Sequence, residues 1–178
     1  MKLARRTIEH YFKTGKKLEL APSELPFEKL LEDGASFVCL KTDDKLRGCM
    51  GTLYNRRPLF MDVIKNALAA AFGDIRFPPV KESELGKIKI SISILTEPKP
   101  LKVSSPDELL EKLDPGRHGV ILQQGIERAT YLPSVWEQIP DKVKFLENLS
   151  MKAALGPQGW KDPRTEFFVY EVEEFSEK

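Results

Sequence analysis

The hydrophobic positions of this chain change period several times, and each change predicts an element. Leu3, Ala4, Ile8, Tyr11 and Phe12 fall on one helical stripe and Gly15 supplies a stop, which predicts an amphipathic helix that must dock on something. Pro26 opens a shorter helical piece carrying Phe27, Leu30 and Leu31, ending before Gly34. Within 36–41, Phe37-Val38-Cys39-Leu40 suits a buried strand, and Thr42-Asp43-Asp44-Lys45 is a hairpin turn into Leu46-Arg47-Gly48-Cys49-Met50-Gly51. From Pro58 to Phe72, Leu59, Val63, Ala67, Ala70 and Ala71 describe a helix opened by proline and free of internal Gly, which Gly73 to Pro79 then breaks.

The strongest strand signal is 87–95, where Ile88, Ile90, Ile92 and Ile94 alternate with Lys87, Lys89, Ser91 and Ser93. After Pro98 and Pro100, Ser105-Pro106-Asp107-Glu108 is a capping box that launches Leu109, Leu110 and Leu113. The turn cluster 114–119 delivers a strand over 120–123, and Gln124-Gly125 turns it back through Arg128 to Leu132. Pro133 to Trp136 reads as one helical turn, Asp141 caps a helix running to Leu155 with Gly156 as its stop, and Phe168, Tyr170 and Val172 define a last strand. Trp136 and Trp160 are read as core plugs rather than stacking platforms. Hairpins with inserted helices predict an α+β fold with mixed or antiparallel sheets flanked by helices. The whole of 1–178 is one domain of two lobes, with Pro78-Pro79 and Pro98 to Pro100 as the candidate boundaries.

Composition mainly excludes. With 28 Lys+Arg against 27 Asp+Glu, the net charge of +1 gives no field to gather polyanions, so a nucleic-acid role lacks support. The longest unbroken apolar run, 67–72, is far short of the roughly 20 residues of a membrane span, and charge interrupts the N-terminus before any signal-peptide core forms. These features lead to the expectation of a cytoplasmic protein, in which Cys39 and Cys49 are read as reduced thiols, a bridge between them being possible but unneeded. Two Cys, two His and no nucleotide, zinc or calcium fingerprint give no cofactor and no metal site.

Chemistry concentrates around Leu46 to Gly51. A nucleophilic cysteine at Cys49 would gain approach room from Gly48 and Gly51, and Arg47 would lower its thiol pKa; equally, the glycines permit close strand packing and Cys49 is a small buried apolar residue. Its base would be His118, in the turn Gly116-Arg117-His118-Gly119, rather than His10 on a helix surface, although His118 also suits a bond within its own turn. Asp74 could orient that base and Arg76 bind an anion, or the two could simply pair within their loop.

At Leu46-Arg47-Gly48-Cys49-Met50-Gly51 the chain resembles the AMMECR-one domain family. The likeness continues through Arg57-Pro58-Leu59, Ala69 to Pro79, Ile90 to Thr96, Pro115 to Val120, Tyr131 to Trp136 and Tyr170-Glu171-Val172. Met50 stands where isoleucine is commoner in the family, and Ile75 where proline is common. The resemblance implies one compact α+β unit of a larger and a smaller lobe, with a cleft that the Arg-Gly-Cys segment faces. It implies a site of Arg47, Gly48 and Cys49 with Asp74, Arg76 and His118 as neighbours. Through the family's frequent association with a Memo-type metal-site protein and a radical SAM protein, it implies those as partners in a shared pathway; no reaction is established for the family. Three functions follow: a cleft that binds a peptide, nucleotide or partner protein; a thiol enzyme using Cys49 and His118 on a small molecule or protein; and a nucleic-acid-associated protein, which neutrality disfavours.

Overall fold

The first apolar stripe folds as α1 (Lys2–Thr14), buries Ala4, Thr7 and Ile8, and ends at Gly15, whose left-handed backbone lets its N–H reach the Tyr11 carbonyl. The structure is a computed structural model and describes residues 1–177. Its chain forms two units: residues 1–97 with the segment from Glu173 onward, and Pro98–Val172. The division therefore falls at the Pro98 to Pro100 connection.

In the first unit, β1 (Ala35–Thr42), β2 (Lys45–Gly51) and β3 (Ile88–Leu95) join β8 (Val172–Ser176) in a four-stranded sheet of order β2-β1-β3-β8. Val38, Leu40, Ile88, Ile90 and Ile92 form its apolar face and pack with Ala4 and Ile8 of α1 and with Leu59, Val63 and Ala67 of α2 (Leu59–Leu68). The helix read to Phe72 is not uniform: after Leu68 it widens into a π-helical turn, Ala69–Gly73.

The β1–β2 hairpin sets the geometry of the candidate site. Asp43 and Asp44 both take positive φ (51° and 60°), the mark of a two-residue turn matched to strand twist. Continued without interruption, that register would set Val38 opposite Cys49. Instead a bulge at Arg47 shifts it by one, so that Leu40 pairs with Gly48 and Cys39 with Cys49. The two cysteines then lie 4.1 Å apart at Cα and form a disulfide. This corrects the expectation of reduced thiols. The spacing of ten residues does not reveal the pair, because the bulge decides it.

In the second unit, β4 (Lys99–Pro100), β5 (Gly119–Gln124), β6 (Glu127–Tyr131) and β7 (Glu166–Tyr170) form a sheet of order β4-β7-β5-β6, with antiparallel pairing between neighbours. It packs with α3 (Pro106–Lys112), whose cap Ser105 accepts the Glu108 N–H, and with α4 (Lys142–Lys152), capped by Asp141. Trp136 and Trp160 are both core, Trp136 stacked on Phe145 at 3.6 Å. The single last strand read from the sequence is two: β7 belongs to this unit and β8 to the other, and the apolar alternation runs through the switch without marking it.

Candidate functional site

Arg47, Gly48, Cys49, Asp74 and Arg76 gather at the free edge of β2. As a non-hydrogen-bonded partner of Cys39, Cys49 directs its backbone N–H and carbonyl away from β1. Both would be bare on an edge strand. Here Asp74 Oδ2 accepts the Cys49 N–H at 2.9 Å and Arg76 Nη2 donates to the Cys49 carbonyl at 3.2 Å. The pair thus stands where a further strand would.

Asp74 is itself saturated. Its Oδ1 accepts from the Arg76 N–H (3.2 Å) and Nε (2.9 Å), and Oδ2 also from Arg76 Nη2 (2.6 Å). Only 6% exposed, it is held well below the usual carboxylate range, first by the Arg76 guanidinium and further by the Cys49 and Arg76 amides, against the opposing effect of burial.

Arg47, aimed out of the bulge, is equally committed. Nε and Nη2 bind Glu84 in a fork at 2.8 and 3.1 Å, Nη1 donates to the Pro78 carbonyl and Nη2 to that of Pro79. Glu84 is held below its ordinary value chiefly by Arg47. Gly48 has a steric reason: a Cβ there would overlap the Ala70 carbonyl oxygen of the widened turn. Gly51 likewise lies under the Phe37 ring.

Between these anchors the loop Gly73–Pro79 is fixed at several points, with the Phe77 N–H on the Asp74 carbonyl and the Val80 N–H on that of Ala71. The Arg76 guanidinium lies over the Phe77 ring at 5.5 Å. Yet Ile75, in the middle, is 100% exposed.

His118 belongs to the second unit. Its Nδ1 accepts the Asp114 N–H at 3.1 Å and its carbonyl accepts Trp136 Nε1 at 2.7 Å, so it bonds within its own turn. The structure therefore brings together five of the six expected site residues at one edge, with Asp74 oriented toward Arg76 and Cys49. Among the described residues no group of His, Cys, Asp and Glu is placed to hold a metal, and no helix is long and apolar enough to cross a membrane.

Sequence reasoning missed a buried polar cluster at the far end of β2. Asp62, 1% exposed, accepts at Oδ2 from the Ser36 N–H and hydroxyl, Thr52 Oγ1 and Asn66 Nδ2, all within 2.9 Å, while Asn66 also donates to the Ser36 carbonyl. A polar side chain buried this deeply is accommodated because four donors replace water, and Arg57 Nε lies 3.7 Å from its Oδ1. The available signal was Asp62 and Asn66 at i and i+4 beside the apolar stripe of α2. Glu84 was also missed, since sequence spacing does not show its partner Arg47.

Comparison with known proteins gives the family and the fold. The AMMECR1 family model matches residues 1–175. Protein MK0488 of Methanopyrus kandleri is 42% identical over all of this chain and 86% of its own length, and Protein NEQ441 of Nanoarchaeum equitans 41% over 99% and 97%. The crystal structure of the uncharacterised protein PH0010 from Pyrococcus horikoshii superposes with a TM-score of 0.92 at 36% identity, covering 99% of this chain and 89% of that one.

Proposed function

The chain belongs to the AMMECR1 family, and from that premise we propose that it is a protein-binding module whose recognition edge is β2 with the Gly73–Pro79 loop. One observation carries the reading: a fully exposed Ile75 stands on a loop whose neighbours Asp74, Arg76, Pro78 and Pro79 are all held by internal hydrogen bonds. An apolar side chain carried on backbone that is fixed in advance costs little backbone freedom on binding, which favours it as an interface anchor. Arg47, Gly48 and Arg76, in this reading, shape the ligand surface, and the cleft implied by family resemblance is where a partner docks. The resemblance makes a Memo-type metal-site protein and a radical SAM protein the partners to try first. Co-purification tests it: a complex at micromolar concentration supports the reading, and failure to bind either protein contradicts it.

A second reading rests on the Cys39–Cys49 disulfide, which joins two half-buried residues on the sheet face opposite α2. In the cytoplasm, the compartment read from the sequence, a dithiol reductant would break the S–S bond and leave two thiols while becoming a disulfide itself. Cys49 would then be free to act as a nucleophile. After reduction, iodoacetamide should modify Cys49 well below pH 8; reaction only above about 8.5, the ordinary thiol value, would contradict it.

A further inference from the structure

The first unit holds an apolar cavity of about 660 Å³, away from the β2 edge. Its floor is Leu59, Val63 and Ile92, each 4% exposed, and Leu3, Leu30 and Ile94 form walls. Phe27 and Phe175 stand at the mouth, 69% and 40% exposed. The volume lies within the range of small-molecule sites, roughly 300–1,000 Å³. Protein interiors are close-packed, and so large an opening beneath the inner face of β3 leaves apolar walls without contacts that a filled core would supply.

The lining fixes the ligand class. It contains no Ser, Thr, Asn, Gln, Tyr or His side chain: every residue is either apolar or charged. A nucleotide, sugar or peptide would leave its polar groups unpaired against such walls. A hydrocarbon chain would not. The charged residues, Lys2, Arg6, Lys29, Glu24 and Glu173, are all solvent-exposed and so belong to the mouth. Arg6 approaches Glu24, and Lys29 approaches Glu173, each at 3.8 Å. Among these five side chains that leaves one positive charge in excess, at Lys2. Lys2 and Arg6 are four residues apart on one face of α1, a like-charge pair that weakens a helix unless an anion lies between them.

We propose that this cavity binds a single-chain amphiphile, its hydrocarbon tail along the floor of Leu59, Val63 and Ile92 and its anionic head, carboxylate or phosphate, at Lys2 and Arg6. The site is separate from the β2 edge and does not depend on the function proposed for it. The full-length protein is titrated with the fluorescent probe 11-(dansylamino)undecanoic acid, and unlabelled amphiphiles then displace it. Saturable binding at about micromolar concentration is expected, with displacement by hexadecanoate or hexadecyl phosphate. Whichever displaces better identifies the head group. Hexadecyltrimethylammonium should displace at least about tenfold less well. Ile94→Trp, which fills the cavity from a partly exposed position, should abolish binding. Arg6→Glu, on the surface, should weaken it by about tenfold with the thermal midpoint unchanged. No saturable binding up to about 100 μM, equal displacement by the cationic amphiphile, or full binding by Arg6→Glu would each overturn the proposal.

Discussion

At Gly48 the reason for glycine is another residue's backbone. The Ala70 carbonyl occupies the space a side chain would need, and backbone cannot swing aside as a flexible side chain can. Gly48→Ala should therefore cost about 3 kcal/mol in urea unfolding, whereas Gly86→Ala, where nothing lies within 4 Å of an added Cβ, should change stability by less than about 0.5 kcal/mol. Asp74 makes a different demand. Its folded-state pKa is depressed, so the stability it contributes is fully present above the unfolded carboxylate value of about 3.9 and is lost as pH falls below it. Asp74→Asn should be less stable by about 2 kcal/mol at neutral pH, a gap constant from pH 5 to 8 that closes below about pH 4. A gap that persists unchanged into strong acid would show that the Asp74 charge is not what matters. Sequence spacing does expose Asp74 and Arg76 as a local pair, because an Asp two residues before an Arg in a loop has few other partners. It does not show that they cover the Cys49 backbone, since that depends on which side of β2 is the sheet edge.

Among the elements, the β1–β2 hairpin decides most. Its strands and its turn are legible from alternation and from Asp43-Asp44, but its register is not, because a one-residue bulge leaves no mark in hydrophobic period. The bulge turns Arg47 toward Glu84 and the Pro78 and Pro79 carbonyls, so one side chain fastens the segment 78–84 to the strand. Arg47→Ala should free that segment: hydrogen exchange there should accelerate at least about tenfold, and stability should fall by about 2 kcal/mol. If exchange at 80–84 stays at the wild-type rate, Arg47 is not the fastener. The π-helical turn after α2 was equally hidden, because five small or apolar residues fit a regular helix as well as a widened one; only the approach of β2 at Gly48 distinguishes them.

For the whole molecule, the α+β class and most elements follow from pattern, and membership in the AMMECR1 family follows from motifs spread from the first helix to the last strands. The exchange of the C-terminal strand β8 into the first unit does not, since nothing local separates it from β7. The near balance of 28 positive and 27 negative residues argues for recognition by fitted apolar contact rather than long-range attraction. Two isoleucines are almost fully exposed, Ile75 on the fastened loop and Ile126 beside Gly125 in the β5–β6 turn, and only the first belongs to the proposed edge. The most direct measurement is therefore calorimetric titration of a Memo-type protein with the wild type, Ile75→Asp and Ile126→Asp. The account predicts at least about tenfold weaker binding for Ile75→Asp and no change for Ile126→Asp. Equal binding by all three, or loss in Ile126→Asp alone, would contradict it.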